Sequence, residues 1–293
     1  MSGGGIEARF RAGQRRRRLA GVWYGAVLLG CLLLSARVSE AYPDALAAGL
    51  PRAGEYFHKI LPTLRGPALF AGVKTEGSLA FWFYRLDAWA WLLFETTQMA
   101  ALATLGGAVA GLALCFPAAA NLAPNRCVYY GFRRLLELFR TVPDIVYALI
   151  LVYAFGVGPP AGILAIGLHT TGALGKLFAE AVENADMRPW DGVRSAGGSW
   201  LQGVRFAILP QVLPNFLSYV LLRFEINVRG STVIGFVGAG GIGQELYLVI
   251  SQNYYEEIGA IVLLIVLVVM AIDLASEALR RWAIGADAQA MTA

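Results

Sequence analysis

Near the C-terminal third of the chain stands Gly238-Ala-Gly240-Gly241-Ile-Gly243, a literal G-x-G-x-x-G that follows the strand-like run Val233–Val237. Such a turn cradles a pyrophosphate when it joins a strand to a helix and an acidic residue closes a second strand about 20 residues later. At that distance this chain has Glu256-Glu257 and then the unbroken apolar run Ile261–Ile272, which has the character of a membrane span. The four glycines therefore read as tight helix–helix approach, or as a broken segment lining a pathway, where irregular backbone is tolerated. A membrane-embedded dinucleotide-dependent enzyme built on Gly238–Gly243 is the rival reading. No ATP-binding loop accompanies it: Gly175-Lys176 is followed by Leu177, and Thr170 stands where the leading glycine belongs. The three cysteines, Cys31, Cys115 and Cys127, lie in or beside apolar runs at no metal spacing, and no nucleophile–base–orienter set assembles.

Ionisable residues at membrane depth are the second source of chemistry. Each costs about 2.5–3.5 kcal/mol near the bilayer centre, so each needs a partner or a watery cavity. Arg140-Thr-Val-Pro-Asp144 sets a cation and a carboxylate at i and i+4, a spacing that lets them meet on one helix face, with Pro143 kinking the span. Arg223, Glu225 and Arg229 surround the end of another apolar run, and Lys176 and Glu180 sit one turn apart in a third. Two readings stay open: ion pairs that lock helices together, or arginines lining a path for an anion. On the second, Arg140 and Arg229 supply the positive charge while Asp144 and Glu225 hold them. His169 and Asp273 are lone polar residues in apolar runs and read as structural hydrogen-bonding groups.

The elements that must position these residues are membrane helices. Of 293 residues, 57% are hydrophobic and 15% charged, against about 25% charged in a soluble domain. Mean hydropathy is +0.58. The pattern predicts an all-α polytopic membrane protein of about six transmembrane helices: a basic N-terminus at 1–18, a first span at 19–38, an external or interfacial segment at 39–88, and a core at 89–282 with a polar loop at 184–208. A tail follows at 283–293. Within the core the expected spans cover roughly 89–116, 128–155, 161–182, 209–226 and 256–280. A cleaved leader ending at Ser39-Glu-Ala41 was weighed, as was a lipoprotein-like Leu28-Leu-Gly-Cys31. The apolar run continues through Leu32–Leu34 and five more spans follow, so an uncleaved first helix is the reading. The formal charge of +4 is spread beside apolar runs instead of forming a basic face, which argues against nucleic acid as a partner. Placing the N-terminus inside puts Arg15–Arg18, Arg126, Arg133-Arg134, Arg188, Arg194, Arg205 and Arg280-Arg281 on the cytoplasmic side, with the C-terminus. The basic residues of 39–88 are the exception.

Within 184–208, Val193, Ala196, Trp200 and Val204 fall at i, i+3, i+7 and i+11, one apolar stripe on a short helix. Gly197-Gly198 should bend that helix, and Pro210 suits the start of the next. A short amphipathic helix between two spans is well shaped to dock in a groove of a soluble partner. The spacing resembles the cytoplasmic loop of ABC-importer permeases, whose pattern is Glu-Ala-Ala, three residues, Gly, nine residues, Ile-x-Leu-Pro. Asp191-Gly192-Val193 stands for the triplet, Gly197 for the glycine, and Ala207-Ile208-Leu209-Pro210 for the end. Arg140–Asp144, Gly172–Glu180, Gln211–Asn215, Phe224–Arg229 and Val233–Glu245 are similar to the membrane subunit of phosphonate ABC importers, over roughly 74–282. That resemblance implies two copies of this permease in the inner membrane among lipids, two separate ATPase subunits that carry ATP and Mg, and a periplasmic phosphonate-binding protein. It implies no cofactor on this chain.

Overall fold

The computed structural model describes residues 4–40 and 42–290, in two units, Met1–Lys59 and Ile60–Ala293. Among the described residues every regular element is helical and none is a strand. In the first unit, α1 (Gly4–Val38) runs the basic head and the apolar stretch together as one helix, so the boundary expected at residue 18 is not a structural one. Its portion Gly13–Val38 is long and apolar enough to cross a membrane. The helix α2 (Pro43–Ile60) is amphipathic; its exposed Lys59 meets Glu55 at 2.8 Å and holds that carboxyl below the usual range. Of the cleavage motif Ser39-Glu-Ala41, set aside in favour of an uncleaved helix, Ala41 lies outside the described residues.

The second unit is built from α3 (Leu79–Trp82), α4 (Leu86–Cys115), α5 (Arg126–Thr141), α6 (Asp144–Phe155), α7 (Pro159–Glu183), α8 (Arg188–Ser195), α9 (Trp200–Gly203), α10 (Leu209–Ile234), α11 (Gly241–Ser251) and α12 (Tyr255–Ala290). A π-helical stretch, Val204–Ile208, joins α9 to α10. Among the described residues five helical stretches are long and apolar enough to cross a membrane. The span expected over 128–155 is not one of them. Val142, preceding a proline, is extended (φ −76°, ψ 123°), and Pro143 caps α6 instead of kinking a continuous helix. The apolar part of that stretch is α6, in which an unbroken apolar run follows Asp144; its 12 residues extend about 18 Å at 1.5 Å per residue, well short of a bilayer core of about 30 Å. At the other end of the unit, α12 continues into the expected tail as far as Ala290.

Three packed clusters succeed one another along α4. Trp89 and Leu93 pack with Ile242, Leu246 and Ile261; Ala103 packs with Ala148, Ala165, Ile166 and Ile234; Cys115 packs with Leu136, Leu174, Phe178, Ile208 and Phe216. Phe178 and Phe216 stack at 4.1 Å between centroids. The α4–α7 contact is close because its facing residues are small. A Cβ on Gly107 would lie 2.7 Å from the Thr170 methyl, and one on Gly111 2.9 Å from the Gly175 nitrogen. Neighbouring Gly106 faces open space.

The aromatic segment before α4 is tied to the start of α12. The Trp82 indole donates to the Glu256 carbonyl at 2.8 Å, and the Tyr84 hydroxyl to the Glu257 carboxylate at 2.9 Å. Desolvation and that carboxylate push the Tyr84 phenol above its usual range. Arg85 pairs with Glu245 of α11 at 2.8 Å.

Candidate coupling loop and membrane pathway

The loop between α7 and α10 is a bent lever. Asp191 sits in the first turn of α8, where the helix dipole favours a carboxylate, and is exposed with Gly192. The helix ends at Ser195, and Gly197 takes a left-handed conformation (φ +83°) with no atom within 4 Å of where a Cβ would stand. Ser199 then opens α9 with a capping box closed by Gln202. The break at Gly197 divides the expected single stripe. Val193 and Trp200 are half-buried and Val204 is buried, but Ala196 turns outward and is exposed. Trp200 is anchored by its indole nitrogen to the Leu122 carbonyl at 3.0 Å and edge-on to Phe116. Gly203 lies under the Trp190 ring, 2.5 Å from where its Cβ would be.

The lever is clasped to α10 at its root. The Gln211 amide donates to the carbonyls of Asp186 (3.0 Å) and Ala207 (2.6 Å) and accepts the Asp186 N–H at 3.0 Å. Pro210 stands in the first turn of α10, beside Leu209. With π-helical backbone just before that turn, the lever and α10 form one continuous helical run, Trp200–Val237. Leu201 and Phe206 protrude from it, 71% and 64% exposed. Sequence reading passed over both, although two large apolar side chains in a polar, basic loop are a legible sign of a docking face.

At the far end of α10 the glycine segment breaks the helix. Gly238 and Gly240 adopt positive φ (+89° and +84°), and α11 starts at Gly241. The Thr96 hydroxyl of α4 accepts the Ile242 N–H at 2.9 Å, satisfying one open donor of α11. A Cβ on Gly241 would sit 2.4 Å from that same hydroxyl oxygen, and one on Gly243 only 1.9 Å from the Thr232 carbonyl oxygen. Among the described residues no strand exists to form a βαβ unit, so the dinucleotide reading falls.

The charges at membrane depth are arranged differently from the helix-face expectation. Arg140 and Asp144 do not pair, because the extended Val142 separates their helices; no carboxylate lies within 4.0 Å of Arg140 among the described residues. Asp144 accepts its neighbour Ile145 N–H and packs beside Gly230 of α10. Lys176 and Glu180 do not pair with one another either: both reach α5, Lys176 to Glu137 and Glu180 to Arg133, each at 3.9 Å, and Arg133 also meets Glu183 at 2.7 Å. Arg229 does pair with Glu225, at 2.6 Å, and in addition with Asp273 of α12 at 2.6 Å. Arg280 approaches the other Glu225 oxygen at 3.9 Å. These four charges sum to zero and join α10 to α12, so Arg229 is a helix lock with no net field to offer an anion. Asp273, read as a lone hydrogen-bonding residue, is half of that lock. His169 was read the same way; its Nδ1 meets the Arg223 guanidinium.

The wider likenesses agree with this architecture. The family described as "Binding-protein-dependent transport system inner membrane component" matches residues 91–284. The phosphite transport system permease protein PtxC of Stutzerimonas stutzeri is 37% identical over 261 residues, 88% of this chain and 86% of that one. The putative cryptic phosphonate transport system permease protein PhnE2 of Escherichia coli (strain K12) is 44% identical over 119 residues, 41% of this chain and 98% of that one. In structure, a chain of the MetNI methionine ABC transporter in an inward facing conformation superposes with a TM-score of 0.60 at 21% identity, over 68% of this chain and 98% of its own length, a likeness of fold. With well over half its length inside the family match, the chain belongs to the binding-protein-dependent transport system inner membrane components, the permeases of ABC importers.

Proposed function

We propose that this chain is the translocating subunit of an ATP-driven importer for phosphonate or a related phosphorus oxyanion such as phosphite. Two copies enclose a path that opens alternately to each side. Two ATP-binding subunits, which carry ATP and Mg, dock on the 184–208 loops, and a periplasmic binding protein delivers the anion from the other side. The N- and C-termini lie in the cytoplasm with the loop, the orientation favoured by Arg15–Arg18, Arg188, Arg194 and Arg205. The observation that carries the reading is the lever itself. An exposed face formed by Asp191, Gly192, Ala196 and Gly197, with protruding Leu201 and Phe206, is rooted in α10 through Gln211, so a push on the loop moves a membrane helix. The substrate class rests on relatives whose names specify phosphite and phosphonate transport.

An anion carrying about −1.5 to −2 charge needs fixed positive charge or donors along a low-dielectric path. Arg140, which meets no carboxylate within 4.0 Å among the described residues, contributes to that field in this reading, with Asp144 across the α5–α6 break; Glu225 and Arg229 hold α10 against α12. The test is uptake of radiolabelled phosphite and methylphosphonate into proteoliposomes holding the chain together with its ATPase and binding-protein partners. Uptake is expected only with ATP on the loop side. Equal uptake by this chain alone, without ATP, would mean a self-sufficient secondary transporter.

A further inference from the structure

Among the described residues two arginines at membrane depth, Arg140 and Arg223, stand outside every ion pair. Arg223 lies on α10, half-buried, and no carboxylate stands within 4.0 Å of it among the described residues. Its nearest partners are neutral: Nη2 meets His169 Nδ1, and Nε donates to the Thr170 hydroxyl at 3.5 Å. With Nδ1 accepting, the imidazole carries its proton on Nε2. Asp144 is within electrostatic reach of both Arg223 and His169, and Arg140 within reach of His169. The local charges are thus two guanidinium groups against one carboxylate. Arg229 two turns further on, by contrast, is held by two carboxylates at 2.6 Å.

Arg223 is also part of a row. Gln211, Asn215, Tyr219, Arg223 and Asn227 occur at every fourth position of α10, and the row follows α7. Gln211 clasps the chain just beyond the end of α7. Asn215 and Tyr219 line a cavity of about 330 Å³ with Glu180 and Asn184 of α7. Asn227 closes the row, donating to the Thr104 and Thr170 hydroxyls at 2.8 and 2.9 Å. Along the row the polar side chains pass from the loop-end cavity to a single unneutralised guanidinium, beyond which Asn227 is buried and satisfied.

We propose that Arg223, oriented by His169 and Thr170, is the residue that contacts the phosphorus oxyanion on its way through the membrane, and that the α7–α10 seam is the wall along which the anion leaves toward the loop end. A guanidinium fork binds two oxygens of a phosphorus oxyanion side by side, and held by neutral groups it keeps the charge needed to do so. The nitrogen Nη1 makes no hydrogen bond within the described residues, so a donor edge is free. This assignment rests on the importer reading above, and of the two arginines expected from sequence, Arg140 and Arg229, it replaces Arg229 with Arg223, two turns back.

The test replaces the native copy in its own host by Arg223→Gln, Arg223→Lys or Arg229→Gln and measures phosphite and methylphosphonate uptake per molecule of permease found in the membrane. Absence of uptake in the unaltered strain would count against the importer reading, separately from Arg223. With uptake present, Arg223→Gln should lower it at least about tenfold, the scale of one lost charge-assisted contact, and Arg223→Lys, which keeps the charge without the fork, should fall measurably between Arg223→Gln and the parent. Arg229→Gln should instead reduce the amount of protein in the membrane. Normal uptake per molecule in Arg223→Gln overturns the proposal. So does equal impairment of the Lys and Gln variants, which would mean that the positive charge contributes nothing to passage of the anion. If Arg223→Gln does not reach the membrane, Arg223→Lys decides: uptake per molecule that is lowered but measurable supports the proposal, and uptake equal to the parent's or absent altogether overturns it. Absence of both variants makes Arg223 a folding residue and overturns it as well.

Discussion

Gly243→Ala is expected to leave a protein that unfolds far more readily than the parent, or that fails to accumulate in the membrane. The reason is where the new methyl must go. A Cβ at this position falls 1.9 Å from the Thr232 carbonyl oxygen, 2.8 Å from its carbon and 3.0 Å from the Gly235 Cα, all backbone atoms of the helix end that α11 packs against. Backbone cannot swing aside as a side-chain tip does, so the last turn of α10 and the first of α11 have to separate. Overpacking a core typically costs about 1–3 kcal/mol, and a clash this deep belongs at or above the top of that range. The separation would also pull the Ile242 N–H from the Thr96 hydroxyl. Gly106→Ala is the matched comparison, since nothing lies within 4 Å of its Cβ position and alanine favours helix over glycine by about 1 kcal/mol. The thermal midpoint of the purified protein should fall sharply for Gly243→Ala and hold or rise slightly for Gly106→Ala. Equal midpoints would show that the α10–α11 break is looser than its geometry.

Gly197→Asp is expected to act without harming the fold. The residue is exposed, its φ is +83°, and there is open space around the Cβ position. A side chain in this left-handed region costs roughly 1–2 kcal/mol, and aspartate is among the residues that tolerate it best. The variant should therefore insert at close to the normal level. What changes is the face offered to the ATP-binding subunit, which gains bulk and a negative charge at the bend of the lever. Uptake is expected to drop by about tenfold or more, as for one disrupted interfacial contact of about 1.4 kcal/mol, while ATP hydrolysis by the assembled or separated ATPase continues. Full uptake in a correctly inserted Gly197→Asp protein would remove the loop from the coupling account.

What could be read from the chain alone was what depends on short-range pattern. Periodicity and length revealed the long spans, since a run of about 20 apolar residues has one use in a helical membrane protein. The bend of the loop follows from Gly197-Gly198, and Glu225, expected to hold an arginine, meets Arg229 one turn on inside one unbroken helix. The same spacing misled at Arg140 and Asp144, because the residue before Pro143 leaves the helical region and the two side chains end on different helices. Ala196 went astray for a related reason: a left-handed glycine next to it ends the periodicity on which the stripe depended. Long-range partners left no trace in pattern. Asp273 meets Arg229 from 44 residues away, His169 meets Arg223 from 54, and the Trp200 indole finds the Leu122 carbonyl from 78. Each of these contacts is set by which helices lie side by side, and that is decided by small residues such as Gly107, Gly111 and Gly175 at the α4–α7 contact.

The most direct measurement of the central claim is a cross-link from the bend of the lever. In a chain with Cys31 and Cys127 changed to Ser and the buried Cys115 to Ala, a single cysteine is introduced at the exposed Ala196, or at the exposed Val157 in the turn before α7. Native membranes are then treated with a bifunctional thiol reagent and the adducts identified by mass spectrometry. The account expects Ala196→Cys to be joined to an ATP-binding subunit and Val157→Cys not to be. Attachment of the ATP-binding subunit at 157 and none at 196 would contradict it.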